Sequence, residues 1–270
     1  MSWIYKINAL SEAEKQGLYR LLIPPSLFPR YGINPLDFRD YNGVLCCRFY
    51  CPPRDHTTLI EVKRSPRDED CLFSFQVSDT ADRLKLNWDF IIVNDVDAER
   101  FATDVDSEGR DTLFGSATRN REEERRAMEA GLFPGQVRRG LRVLREFVGG
   151  LIHFATLLDV RTIGLEALYY HNAIVYERYG FAYFQGYKRM KRIDELFREG
   201  GALARRMDGS TPFRRPGAEK TVHGRYWAIH DGILEGLEDD ILDESWTSPE
   251  MYLMIGKPRG LQTFPDGAWI

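Results

Sequence analysis

The chain has 270 residues, enough to bury a sizeable core in one large domain or two small ones, and a formal net charge of −4. That balance supplies no general electrostatic attraction to nucleic acid or to a membrane surface, and no basic region followed by an apolar run opens the chain as a secretory signal would. The longest apolar run, Phe147 to Leu158, is interrupted by His153 and is too short to span a bilayer, so a cytoplasmic protein without nucleic-acid or membrane partners is expected. Cys46, Cys47, Cys51 and Cys71 fit neither C-x2-C nor a finger spacing, and they read as buried free thiols with no metal and no disulfide framework.

Ser11-Glu12-Ala13-Glu14 is a capping-box pattern. It predicts a helix to about Leu22, stopped before Pro24-Pro25, with Leu18, Leu21 and Leu22 on its apolar face. Pro24 to Pro35 reads as loop. Four strand-like runs follow: Val44 to Tyr50, Thr57 to Lys63, Leu72 to Ser78 and Leu84 to Asn94. Short turn-rich connections make them an antiparallel meander. Alternation puts Phe73, Phe75 and Val77 on one face, and the apolar end of Leu84 to Asn94 marks it as central.

Asp104 to Gly109 begins like a calcium loop, but Gly115 stands where the twelfth-position glutamate belongs, so a solvated acidic turn is expected. Arg121 to Ala130 reads as an exposed charged helix. Val137, Leu141, Leu144, Val148, Leu151, Ala155 and Leu158 recur at steps of four and three, the stripe of an amphipathic helix entered at Pro134-Gly135. Gly149-Gly150 lies inside it and costs helix propensity, ~1 kcal/mol per glycine. Close packing against the sheet offers a reason.

Thr162 to Leu168 reads as a strand. Asn172 is a good N-cap for a short helix to Tyr179, and Gly180 stands where the left-handed C′ residue belongs. Phe181 to Tyr187 reads as a further strand. Leu165-Glu166, Asn172, Ala173, Tyr176-Glu177 and Gly180-Phe181 together resemble the end of the GNAT superfamily of acetyl-CoA-dependent N-acetyltransferases.

The resemblance implies an α/β (α+β) fold, a mixed and largely antiparallel sheet flanked by helices, with a C-terminal extension. On that frame residues 1–43 are an N-terminal helix and loop, 44–190 an acyl-CoA-binding core, and 191–270 a helical extension. It implies acetyl-CoA or another acyl-CoA as co-substrate and a small-molecule or peptide amine as acceptor, with a homodimer left open. In the family the splayed fourth and fifth strands expose backbone groups to the pantetheine arm. The loop before the long helix points N–H groups at the diphosphate, where the helix dipole favours an anion. Gln136, Arg138, Arg139, Gly140 and Arg142 correspond to that loop, although Arg142 stands near where a second glycine is usual. Leu168 and Asn172 would contact the pantetheine arm, and Tyr176 would protonate the departing thiolate. Glu166 and Asp95 are alternatives for the base, and His171 is a candidate substrate contact.

Two alternatives stay open. Leu84 to Asn94 is the fourth strand and residues 95–134 an insertion, or Asp111 to Thr118 is the fourth strand. The domain is an enzyme, or it is a catalytically degenerate module that binds acyl-CoA or a partner protein. Lys188 to Lys191 is basic, Ile193 to Arg206 reads as a helix ending near Gly200-Gly201, and Met251 to Ile255 as a final strand. A metal hydrolase built on His223, His230 and Asp231 is a third class; on one helix the two histidines lie about 10 Å apart, too far for one ion.

Overall fold

The computed structural model describes residues 4–80, 84–112, 118–242 and 246–270. The helices are α1 (Ile4–Ile7), α2 (Glu12–Tyr19), α3 (Leu27–Arg30), α4 (Arg121–Glu129), α5 (Leu144–Leu157), α6 (Tyr170–Arg178), α7 (Tyr187–Phe197), α8 (Ala202–Arg205) and α9 (Val222–His230). The strands are β1 (Cys47–Tyr50), β2 (Thr57–Val62), β3 (Phe73–Asp79), β4 (Lys85–Val93), β5 (Thr162–Glu166), β6 (Ala182–Tyr183) and β7 (Glu250–Met254). They form a seven-stranded sheet in the order β1-β2-β3-β4-β5-β7-β6. β1 to β4 are the expected antiparallel meander, and β4 pairs with β5 in parallel. The architecture is mixed α/β with a mostly antiparallel open sheet flanked by helices. Two compact units divide the chain: Met1–Ala98 with Gly140–Leu165 and Tyr252–Pro258, and Glu99–Arg139 with Glu166–Met251 and Arg259–Ile270.

In unit 1 the alternation along β3 holds. Phe73, Phe75 and Val77 are fully buried, as is Leu86 of β4. Their partner from the helical layer is Phe147 of α5, whose ring centroid lies 4.5 Å from Phe75 and 4.8 Å from Trp88. β4 is the fourth of the seven strands, so Leu84 to Asn94 is central as its composition implied, and residues 99–139 are inserted after it. The alternative strand, Asp111 to Thr118, falls largely on residues 113–117, outside the described residues.

The capping box of α2 forms: Ser11 accepts from the Glu14 N–H and Glu14 from the Ser11 N–H. The chain tightens to a 3₁₀ turn at Arg20–Leu22. The buried set is therefore Lys15, Tyr19 and Leu22, while Leu18 and Leu21 are half-buried. The expected loop after Pro24 contains α3. Helix α5 starts at Leu144; residues 137–143 keep its apolar spacing without being helical. Its two glycines differ. A Cβ at Gly150 would stand 2.3 Å from the Leu21 carbonyl oxygen, whereas Gly149 faces open space. Gly150 thus admits the 3₁₀ turn, and the sheet is not the reason. All four cysteines are buried and free.

Unit 2 departs more from expectation. Helix α4 is exposed on one side only; Ala127 and Met128 join Phe101, Leu132, Phe213 and Trp227 in an apolar cluster. The acidic turn is a small hairpin closed at Val105↔Asp111. Asp106 accepts from the N–H groups of Glu108 and Arg110, so this carboxylate is buried and serves the turn. The calcium-loop position Gly115 lies outside the described residues, as do residues 243–244 of the acidic run that the sequence shows from Glu238 to Glu244.

Helix α6 begins at Tyr170 with Tyr169 as N-cap, so Asn172 is its third residue and not its cap. Its end follows the motif closely. Gly180 takes φ +86°. The Phe181 N–H reaches back to the Tyr176 carbonyl, and the Gly180 N–H to that of Glu177. These are the two bonds of a Schellman end, and the accompanying apolar contact joins Tyr176 to Phe181, ring centroids 5.8 Å apart. The expected strand from Phe181 to Tyr187 shrinks to β6. Gly186, at φ +94° and packed on Pro249, turns the chain into α7, which starts six residues before Ile193. The final strand is β7, close to its expected span.

Candidate functional site

In unit 1 the feature with site-like geometry is a fork in the sheet. β4 and β5 pair from Lys85↔Thr162 to Trp88↔Leu165, and β4 then runs on to Val93. The β3–β4 register shifts at the same level: Val77 faces Trp88, Gln76 faces Phe90, and Asp89 is the extra residue between them. Such a bulge bends one strand and re-aims its side chain. Asp89 accepts from the Ser78 hydroxyl at 3.0 Å, and the Asn87 amide donates to that hydroxyl at 3.4 Å. Asp89 is a solvent-exposed residue; partial desolvation of its carboxylate raises its pKa, and the hydrogen bonds from Ser78 and Gln76 oppose the rise. No motif marks this aspartate in the sequence; only the register shift picks it out.

The loop that feeds α5 lies in the same unit. A Cβ on Gly140 would stand 3.4 Å from the Val93 carbonyl oxygen, so this backbone passes close to the end of β4. Two residues on, Arg142 holds φ +62°. Left-handed backbone costs a residue with a Cβ ~1 kcal/mol or more. The arginine at the position of the missing glycine therefore adopts the conformation that glycine favours. Val143 precedes α5 and makes no side-chain cap, so among the described residues no cap of that kind occupies the first-turn N–H groups of this 14-residue helix. Arg142 and Arg145 are exposed beside them. Glu146, also in the first turn, accepts from the Ser26 N–H at 3.0 Å. Asp95 pairs with Arg30 at 3.3 Å.

The remaining sequence-selected residues belong to unit 2. Gln136 closes a turn, its side-chain oxygen accepting from the Phe133 N–H at 2.9 Å. Arg138 is half-buried and Arg139 exposed. Glu166 is exposed at the end of β5. The Leu168 carbonyl accepts from the Trp246 indole at 2.8 Å, and the Ala167 N–H donates to Pro249 at 2.8 Å. Asn172 is half-buried. Tyr176 is buried, which raises its pKa and keeps the phenol protonated.

His171 is buried between the rings of Phe133, at 4.5 Å, and Tyr226, at 4.9 Å. Desolvation, with a smaller contribution from His223, pushes its pKa down to about 3. It is therefore a neutral imidazole in a core.

The histidines of the metal reading have other partners. His223 meets the Leu132 carbonyl at 2.8 Å and His230 meets Glu124 at 2.9 Å. Asp231 is paired with Arg119, Arg121 and Arg214. Among the described residues no three His, Cys, Asp or Glu side chains are grouped to hold a metal ion, and no helix is long and apolar enough to cross a membrane. No protein-family profile, curated protein or solved structure matches the chain.

Proposed function

We propose that this chain is an acyl-CoA-dependent N-acyltransferase, with acetyl transfer from acetyl-CoA to an amine as the leading reaction. The observation that carries the reading is the fork of unit 1, with the bulge at Asp89 beside it and the Gly140-Leu141-Arg142 turn leading into α5. A thioester held in such a fork meets the stretch of β4 that runs on past its last pair with β5, and its diphosphate meets the start of α5 with Arg142 and Arg145. Gln136, Arg138 and Arg139 retain their assignment to the diphosphate loop through the resemblance alone.

The reaction joins an amine nitrogen to the thioester carbon and releases coenzyme A as a thiol. The attacking amine gives up a proton, for which Asp89 is our assigned acceptor. Its raised pKa moves the carboxylate towards the range where it takes a proton efficiently. Glu166, which the motif suggested, and Asp89 are both exposed residues; Asp89 is preferred for its place at the bulge, and Asp95 is paired with Arg30. The resemblance assigns the thiolate's proton to Tyr176, and the pantetheine arm to Leu168 and Asn172.

Two observations favour the second reading, a non-catalytic module that binds acyl-CoA or a partner protein. The Leu168 carbonyl is engaged by Trp246, and the Tyr176 ring is engaged in the Schellman contact. Calorimetric titration with acetyl-CoA and then a long-chain acyl-CoA tests both. Saturable binding is expected, and no binding of either removes the acyl-CoA site. With binding in hand, Asp89→Asn is expected to lower turnover about a hundredfold or more at unchanged acyl-CoA affinity. Unchanged turnover would take Asp89 out of the mechanism. Binding without turnover on a broad amine panel would leave the second reading standing.

A further inference from the structure

Residues 31–46 of unit 1 form two tight loops that have no role in the fork. The first is closed by the Asn34 N–H on the Arg39 carbonyl and the Phe38 N–H on the Asn34 carbonyl, both 2.8 Å. The second turns on Asp40, whose carboxylate accepts from the N–H groups of Asn42 and Val44 at 2.9 and 2.8 Å. These bonds tie the loops to themselves without any ligand. They also hold strain. Phe38 sits at φ +60°, pinned by burial and by an edge contact with Phe49, ring centroids 5.0 Å apart. Backbone strain of this kind persists only where the surroundings over-determine it, and it gathers at ligand clamps.

Between these loops and α3 lies a cleft of about 360 Å³, open to solvent. Its size suits a single-ring ligand. Buried Phe28 and Ile33 line it. Tyr41 forms a wall with 86% of its surface exposed, its ring laid on Gly32, where a Cβ would come within 2.5 Å. An aromatic ring held out this far by a preordered loop offers a face for stacking or for a cation. The charged lining is Asp37, Arg39 and Asp40, one cation against two carboxylates. The Arg39 guanidinium donates to the Gly43 carbonyl at 2.6 Å and keeps its charge, so the three groups leave the lining one negative charge in excess. Asp37 is exposed, and among the described residues its carboxylate accepts only the Arg39 N–H, at 3.1 Å. The cleft therefore combines an apolar floor, an open ring face and an uncompensated negative charge.

We propose that this cleft is a binding site for a small organic ammonium ion, a primary or secondary amine cation carrying one aromatic or aliphatic body. The body lies on Phe28 and Ile33 and against Tyr41, and the ammonium meets Asp37. The inference is independent of acyl transfer, because it concerns binding without acyl-CoA.

The test uses the full chain and phenethylammonium as probe, with the methyl resonances of Ile33 as readout. Saturable shifts are expected. Phenethyl alcohol, of the same shape and uncharged, is expected to bind at least about tenfold more weakly, the loss of one charged contact. Asp37→Asn keeps an oxygen for the Arg39 N–H and so keeps the loop. It is expected to weaken the ammonium about tenfold and leave the alcohol unaffected. Tyr41→Ala is expected to weaken both ligands. Equal binding of alcohol and ammonium, affinity unchanged by Asp37→Asn, or no saturable shift would each overturn the proposal.

Discussion

The two units are held together by different chemistry. Unit 1 is built on a sheet face whose buried residues are apolar and spaced as the strand period demands: Phe73, Phe75 and Val77, with Phe147 of α5 against the two phenylalanine rings. Unit 2 buries both members of an ion pair, whereas the buried Lys15 of unit 1 pairs with an exposed Glu12. Arg225 and Asp194, each with a side chain 3% exposed, pair at 2.9 Å, and the guanidinium lies against the rings of Phe264 and Phe197. Glu124, equally buried, is shared by Arg119 and His230. The lesson is one of tolerance. An apolar core resists most changes of pH, whereas a core of paired ions and neutral histidine depends on the protonation of each member.

The sharpest way to break the comparison is to remove one member of a buried pair. Among the described residues, Arg225→Leu strands the Asp194 carboxylate with only Arg198 paired to it, and a loss of about 3 kcal/mol is expected in chemical denaturation. Replacing both as Arg225→Leu with Asp194→Leu should recover at least half of that. A double variant as weak as the single one would show that packing on Phe264, and not the charge, sets the effect.

Acid titration sharpens the contrast. The folded state holds His171 neutral, with its pKa near 3, while in the unfolded chain it titrates near its ordinary ~6.5. The unfolded state therefore takes the proton first. Stability is lost as pH falls from ~6.5 towards 3, at ~1.4 kcal/mol per pH unit. Glu177 has the opposite sign: burial raises its pKa, so its contribution is greatest at low pH and falls as pH rises through the folded value. His171→Phe, which keeps a ring on Phe133, should flatten the acid limb. Phe147→Ala in unit 1 should cost about 3–5 kcal/mol by the same amount at every pH. An unchanged acid slope in His171→Phe would assign the acid sensitivity elsewhere.

The smallest effect separates two adjacent residues. Gly150→Ala drives a Cβ into the Leu21 carbonyl and is expected to cost about 1–3 kcal/mol, while Gly149→Ala, in open space, should gain about 0.5–1 kcal/mol. Thermal melts of the two variants should move in opposite directions. Movement in the same direction would mean that helix propensity alone governs the pair.

Much of unit 1 was legible because its signals are local and periodic. The capping box, the four strands and the facing of Phe73, Phe75 and Val77 need only neighbours in sequence, and an alternating pattern has one way to bury its apolar side. The Gly180 helix end was legible for the same reason, since one residue type suits one backbone conformation. The start of α5 was misread because apolar spacing continues through residues that the left-handed Arg142 excludes from the helix.

The site was less legible. Asp89 carries no pattern and acquires its position from a register shift between β3 and β4. The cleft beside Tyr41 depends on a strained Phe38 that no propensity announces. The buried pairs Arg225 with Asp194 and His230 with Glu124 join residues far apart in the chain, and composition cannot say which cation meets which carboxylate. The amino-acid sequence by itself determined the strands, the caps and the apolar faces, since these follow from backbone sterics and solvation within a few residues. Only tertiary structure decided which charges are desolvated together, where the sheet forks and which glycine is indispensable. Those outcomes depend on distances between segments that local propensity does not contain.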